Sequence, residues 1–463
     1  LAHHSGVWDS LAVEKHPDWA VVNQDGEISK NITSVFGPYV DELLIPQMKE
    51  MALDYGLDGV WLDGECWALE VDYSRHAAEA YKAATGKNPP QKGEADFEAY
   101  MDFNREGFRR YMSHYITELQ KAAPDFEIAS NWMYTSYVPE KKTIPVDFIS
   151  GDCYSIDSVN IARFEARCLV RQPQPWDIMA WCFNIQDHMF CTKSLPQMCQ
   201  EASAVISLGG GFQIYNRQPQ GSVQKWMIPL WADIAKFCRE REALCHRAEL
   251  VPDVGVILST AAFYRMKNKE GRPFSSSECR DMDDLRGTLL GVLNNQYSAE
   301  ILMTHHGLAA DLSQYSVLIL PNVEIIEPDL REKLISYAEH GGLLIICGHD
   351  AVSLFAEELG IRITERPETA RVLYAGARGA YAPFRQKYVL AEADGAEVIG
   401  TVKDGDEVRW HTSPAVFRNK VSAGTVIGCT FDLGRAYFES RSAVLRNFIG
   451  DLLAHCPSPK IRV

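Results

Sequence analysis

The sequence predicts an α/β protein built on an eight-stranded parallel barrel, and three observations support it. Over residues 1–247 short apolar runs alternate with segments of helical period. The opening residues already read as the end of a strand. Near Val251 the alternation restarts as a second, smaller pattern, which fades after about residue 363.

In chain order, Leu1 to Trp8 ends the first strand, and the apolar runs Gly59 to Leu62, Phe126 to Trp132, Val146 to Ser150, Asp177 to Phe183 and Ala204 to Tyr215 follow. Between them lie helical segments. In Pro46 to Tyr55, Met48, Met51, Ala52 and Tyr55 recur three and four apart, and Asp96 to Lys121 carries aromatic residues at the same spacing. Strand, helix, strand repeated in this way means parallel strands joined by crossover helices. Six such units are visible, so the expectation is a (β/α)8 TIM-type barrel over residues 1-247 that lacks its first two βα units.

Residues 248-362 read as a doubly wound, flavodoxin-like α/β domain. Its strands are Val254 to Ser259, Ala299 to Met303, Ser316 to Pro321 and Leu343 to Cys347, and a helix runs from Asp284 to Asn294. A further helix starts at Glu327-Pro328-Asp329, with proline and acid in its first turn, and stops at Gly341-Gly342. Residues 363-463 read as a small β-sandwich. Lys387 to Ala391, Ala396 to Val402, Glu407 to His411 and Gly424 to Phe431 are short strands parted by Asp394-Gly395 and Asp404-Gly405 turns, and Ser442 to His455 is a closing helix.

Composition narrows the function. A formal net charge of -16 repels nucleic acid and anionic membranes, and no Lys/Arg cluster offsets it. No apolar stretch is long enough to span a bilayer. The 12 cysteines are scattered singly, with no Cys/His grouping at zinc-ligand spacing, so no metal and no cofactor is assigned and a reducing, cytoplasmic setting is expected. Gly209-Gly210-Gly211 lacks phosphate-loop spacing and reads as tight packing. Cys347, without glycines at the elbow positions a thiol nucleophile needs, reads as buried and inert.

The chemistry gathers at strand ends. Trp61-Leu62-Asp63-Gly64-Glu65-Cys66-Trp67 sets two carboxylates between two indoles. Indoles stack on sugar rings and carboxylate pairs cleave glycosidic bonds. Asp63, ending a barrel strand, points into the pocket as a catalytic group or else caps the next helix. Glu65 is a second catalytic carboxylate, a sugar-hydroxyl ligand or a solvated loop acid. His3, His4, Trp8 and Asp9 follow the opening strand, and only one of the two histidines can face the pocket. Asn131-Trp132, Asp152-Cys153-Tyr154 and Trp181-Cys182-Phe183-Asn184 end later strands on the same rim, and Asn216 follows the glycine run. Asp152 is the first candidate for general acid/base, with Asp157 and Glu65 behind it; the alternative for Asp152 is a hydrogen-bonded turn.

Taken together, these residues resemble a family. Tyr55 to Gly64 resembles the strand that bears the nucleophile in retaining α-L-fucosidases of glycoside hydrolase families twenty-nine and one hundred and fifty-one. Pro175-Trp176-Asp177-Ile178-Met179-Ala180-Trp181, Ala204 to Gly211 and Asn216 are similar to later segments of those families, in the same order. The rest of the chain resembles the amidotransferase-like trimerisation domain and the small β domain of family forty-two β-galactosidases. The resemblance implies a retaining exo-glycosidase, most simply an α-L-fucosidase, with Asp63 as nucleophile and Trp61 and Trp181 lining the sugar site. Asp177 stands where family twenty-nine has glutamate, which leaves the acid/base open. The implied partners are a glycoside or oligosaccharide substrate and, by the tail, a homotrimer. A β-galactosidase or a non-catalytic sugar-binding barrel are the alternatives. In a retaining enzyme the two carboxyl groups lie about 5 to 5.5 Å apart.

Overall fold

The computed structural model describes residues 2–186, 189–218, 221–266, 268–269, 271–275, 280–366, 370–375, 380–405 and 410–456. It divides into two compact units. One comprises Leu1–Glu165, Gln172–His246 and Asn268–Arg280, the other Ala166–Arg171, Arg247–Lys267 and Asp281–Val463.

The first unit contains β1 (Ala2–Ser5), β2 (Ala20–Val22), β3 (Ile28–Thr33), β4 (Gly59–Asp63), β5 (Glu127–Ser130), β6 (Ile149–Cys153), β7 (Trp176–Trp181), β8 (Phe183–Gln186), β9 (Met189–Thr192) and β10 (Gly211–Tyr215). β1, β4 and β5 pair in parallel, as do β6, β7 and β10. A parallel bridge from Asn131 to Ser150 joins the two groups. Six parallel strands therefore follow one another in chain order, the wall pattern of a βα barrel. Among the described residues no bridge joins β10 to β1. β2–β3 and β8–β9 are antiparallel hairpins inserted at strand ends.

Local sequence explains the helices outside this wall. Ser74 caps Arg75–Thr85 through the Ala77 N–H, and Gly86, in a left-handed conformation, ends it. Phe97–Ala122 buries Tyr100, Phe108, Tyr111, Tyr115 and Leu119, one face at helical spacing. Ala204 to Gly210, read from sequence as the start of a strand, is the end of helix Leu195–Ile206 and a turn, and β10 begins only at Gly211. Ser194 and Pro196 start that helix, and a tightly buried helix carries the same apolar run as a buried strand.

The second unit is a nine-stranded sheet flanked by helices. Its strands are β11 (Val254–Leu258), β12 (Ala299–Met303), β13 (Val317–Leu320), β14 (Leu343–Cys347), β16 (Ala370–Ala375), β17 (Tyr381–Gln386), β19 (Glu397–Gly405), β20 (Trp410–Val421) and β21 (Gly424–Cys429); β15 (Ile361–Glu365) and β18 (Leu390–Ala393) form a separate pair. The sheet order is β12-β11-β13-β14-β21-β20-β19-β16-β17. The first five are parallel and, counted within the unit, run 2-1-3-4-5, the flavodoxin-type doubly wound order. Every residue of β11, β12, β13 and β14 is buried, as expected for strands covered on both faces.

Strand pairing crosses residue 363, where the sequence suggested a new β-sandwich. Gly424–Cys429 pairs in parallel with Leu343–Cys347, so residues 361–421 are an insertion between the fourth and fifth parallel strands. β20, β19, β16 and β17 extend the same sheet in antiparallel fashion. Helix Leu433–Ser440 then buries Leu433, Ala436 and Tyr437, and helix Ala443–Leu453 buries Leu445, Phe448, Ile449 and Leu453. Asp404-Gly405 ends β19 rather than forming a free turn, and Glu407 to Arg409 lies outside the described residues. Among the described residues no helix is long and apolar enough to cross a membrane.

Candidate active site

Parallel register decides which side chains meet. His3 lies beside Trp61 and Ser5 beside Asp63, so all four share one face of the parallel wall. Val60 and Leu62 point the other way and are fully buried. The register continues through Asn131 and Ser150, then Ser150 and Asp177, Asp152 and Met179, Met179 and Gln213, and Trp181 and Tyr215. The rim formed by the strand ends thus carries Asp63, Asn131, Asp152, Trp181 and Tyr215. Beneath it, Asp177 accepts hydrogen bonds from Ser150 (2.6 Å) and Gln213 (2.6 Å).

Asp63 is held as an anion. Its Oδ1 accepts from Trp67 Nε1 (2.7 Å), the Gly64 N–H (2.8 Å) and Asn131 Nδ2 (3.2 Å), while His3 Nε2 lies 3.6 Å from Oδ2. Burial pushes this carboxyl up, but His3 beside it and the hydrogen bonds from Trp67, Gly64 and Asn131 outweigh that and hold it below the ordinary range. The turn behind Asp63 admits only glycine at position 64. Its φ is +60°, and a Cβ there would lie 2.5 Å from Trp8 Cβ.

Asp152 is the opposite case. It is buried, and its Oδ1 has no hydrogen-bond partner. Burial first and the Asp63 charge second push its carboxyl well above the ordinary carboxylate range. Trp61 Nε1, Asn131 Oδ1 and Trp181 Nε1 are likewise buried and unpartnered. Buried polar atoms are rarely left so, and donors and acceptors together on one face match a polyhydroxylated ligand.

Aromatic rings complete the rim. His3 stacks on Trp61 at 5.1 Å, Trp8 lies 5.6 Å from Trp67, and Trp181 contacts Tyr154 (5.4 Å) and Tyr215 (5.9 Å). Tyr154 and Tyr215 are each 38% exposed, open to a bound ring. Sequence reasoning missed Tyr215; its signal is the two-residue step from Gln213 on β10.

Several expected site residues lie elsewhere. His4 points away from His3 and contacts Gln47 Oε1 at 3.1 Å. Trp132, by contrast, stays beside the carboxyls: it stacks on Tyr137 at 4.0 Å, lies over Gly151, and its side chain bonds the Asp152 carboxyl, opposing in part the upward push of burial. Its φ of 70°, like the 61° of Tyr134, marks a strained turn as the chain leaves β5. Glu65 is fully buried rather than on the rim. Both its oxygens accept from the Tyr115 hydroxyl (3.1 and 3.3 Å), and its side chain fills the space over Gly6, where a Cβ would come within 2.0 Å of Glu65 Cγ. Burial pushes this carboxyl up to about 7. Asp157 is exposed and accepts from Asn160 Nδ2 (2.8 Å) at the start of helix Ser158–Leu169. Asn216 donates to Gln224 Oε1 (2.9 Å) in its own loop. Asp9 caps helix Ser10–Lys15 and accepts from the Tyr39 hydroxyl.

Among the described residues no group of three or more His, Cys, Asp or Glu side chains is arranged to hold a metal ion. In the second unit Cys347 is buried opposite Cys429, whose hydrogen bond, with burial, holds the Cys347 thiol well above its usual range. Such a thiol is a poor nucleophile.

The fold is similar to those of several solved glycoside hydrolases. Residues 303–452 match the family model described as the β-galactosidase trimerisation domain. Among solved structures the chain resembles α-L-fucosidase isoenzyme 2 from Paenibacillus thiaminolyticus, with a TM-score of 0.77 at 16% identity, covering 99% of this chain and 72% of that one. It also resembles a β-galactosidase from the Antarctic haloarchaeon Halorubrum lacusprofundi (TM-score 0.73, 16% identity, 96% and 78% covered). A β-galactosidase from Bacillus circulans sp. alkalophilus is similar (TM-score 0.71, 14% identity, 95% and 77% covered). At these identities the likeness is one of fold. No curated protein sequence matches the chain.

Proposed function

We propose that the protein is a retaining exo-glycoside hydrolase with Asp63 as nucleophile, Asp152 as acid/base and an α-L-fucoside as its preferred substrate. The observation that carries the reading is the divergence of two neighbouring carboxyls, one held below its ordinary range by hydrogen bonds from Trp67, Gly64 and Asn131 with His3 alongside, the other pushed well above it by burial and its neighbour's charge. In the proposed reaction Asp63 attacks the anomeric carbon while Asp152 gives its proton to the leaving oxygen. Asp152 then takes a proton from the water that releases the sugar from Asp63. Trp61, Trp181, Tyr154 and Tyr215 would face the sugar ring, with His3 and Asn131 on its hydroxyls. The fold shared with the Paenibacillus fucosidase supports this choice of sugar.

Asp63→Gly should lower turnover of an aryl α-L-fucoside by on the order of 10⁴ or more, with partial rescue by azide as an external nucleophile. Undiminished turnover would remove Asp63 from the mechanism. A β-galactosidase is the second reading, favoured by the trimerisation-domain match at residues 303–452, and a panel of aryl glycosides separates the two. The same match supports a homotrimer, and the free thiols among the described residues support a reducing, cytoplasmic setting.

A further inference from the structure

We propose that the turn carrying Arg272 is a strap that sets the ionisation of Asp63, with Arg272 as a positioning residue acting through Trp67. The inference rests on the reading of Asp63 as nucleophile. Residues 268–280 group with the barrel unit, although the sequence on either side of them belongs to the other unit. The turn is firmly anchored. Asn268 donates to the Arg272 carbonyl (2.8 Å) and accepts from the Gly271 N–H (3.1 Å) and the Ser275 hydroxyl (2.6 Å). Buried Arg105, from helix Phe97–Ala122, donates to the Pro273 carbonyl (3.0 Å), and fully buried Phe274 meets Phe108 edge-on at 5.6 Å.

From this turn Arg272 Nη1 reaches the Trp67 carbonyl at 2.8 Å, with Nη2 3.9 Å from Glu70. Trp67 is the residue whose indole N–H bonds Asp63 Oδ1 at 2.7 Å. One end of Trp67 is therefore pinned by a guanidinium while the other aims a donor at the carboxylate. Arg272 touches neither the sugar site nor Asp63; it fixes the loop that does. A loop free to swing would share its indole donor with water, and the Asp63 carboxyl would drift back toward the ordinary range.

The test uses the full chain and Arg272→Met, which keeps the aliphatic stem and loses the donor. Hydrogen exchange of the peptide covering Asp63 to Ala68 should be faster in Arg272→Met. The acid limb of its kcat/KM profile on an aryl glycoside should move up by about half a pH unit, a roughly threefold loss on the acid side. Arg272→Lys, which can still donate to the carbonyl, should recover most of both changes, and Glu70→Gln should behave as wild type. Should Arg272→Met fail to fold, Arg272→Gln, too short to reach the carbonyl, gives the same reading. An unmoved acid limb in a folded variant overturns the strap. If the wild type turns over no glycoside, the hydrolase reading fails instead, and exchange alone decides: unchanged protection of residues 63–68 sinks the strap.

Discussion

Replacing Trp67 by Phe isolates the strongest single contact on Asp63. Trp67→Phe keeps an aromatic ring beside Trp8 but removes the indole N–H with part of the ring system, and that N–H's bond to Oδ1 at 2.7 Å is the shortest the carboxylate receives. A hydrogen bond to a charged group contributes about 1.5–3 kcal/mol net. The Asp63 side chain is 33% exposed, so water replaces part of the lost bond and a discounted figure of about 1.4 kcal/mol is appropriate. That is about one pKa unit. The direction follows from the present state: Asp63 lies below the ordinary range, so losing a donor raises it. The nucleophile must be ionised, so the acid limb of kcat/KM should shift to higher pH by about one unit, with a roughly tenfold loss on the acid side and a smaller change on the plateau. Stability should follow the same linkage. A depressed carboxyl stabilises the fold above its unfolded pKa and loses that contribution as pH falls through the folded value, so urea midpoints of variant and wild type should differ at pH 7 and draw together as pH falls below the ordinary carboxylate range. A folded Trp67→Phe with an unmoved acid limb would refute the argument that this bond sets the state of Asp63.

Glu65 runs in the opposite sense. Its carboxyl is pushed up to about 7 by burial, so folding penalises its ionisation, and stability falls as pH rises from the unfolded value near 4.5 through 7 by up to about 3 kcal/mol. Glu65→Gln, which can still accept from Tyr115, should therefore raise Tm at pH 8 and leave it nearly unchanged at pH 4; an equal effect at both would contradict the burial argument. In the second unit a Cβ on Gly287 would sit 1.9 Å from the Gly434 carbonyl oxygen, so Gly287→Ala should cost about 3 kcal/mol or more by forcing two helices apart. Gly37→Ala, whose nearest neighbours are 3.5 Å away, should be near neutral in the same denaturation assay.

What the sequence makes legible depends on how local the cause is. Asp63, Asn131, Asp152 and Trp181 are readable because each ends an apolar run in a parallel wall, and period two carries them all to one face. The same period shows that either His3 or His4 faces inward, and the choice waits on register with Trp61. Glu65 could not be placed in this way: its burial is decided by Gly6 and Tyr115, which reach it from distant parts of the chain. Gly424 to Cys429 shows the limit for the fold. The apolar run is plain, but whether it completes a sandwich or a parallel sheet depends on a partner at Leu343–Cys347. Arg272 left no local sign at all, since its partner Trp67 lies 205 residues earlier in the chain.

That late parallel strand also bears on how the chain comes off the ribosome. Leu343 finds its neighbour Thr425 only after about 80 further residues, roughly 4–16 seconds of synthesis at about 5–20 residues per second. During that interval the apolar edge of Leu343–Cys347 is uncapped and sticky. The order of synthesis limits the exposure, because Trp410–Val421 and Gly424–Cys429 are joined as a hairpin, which closes within microseconds and can deliver the missing strand as a preformed ribbon. Substitutions that weaken that hairpin are therefore expected to lower soluble yield out of proportion to their effect on the folded protein.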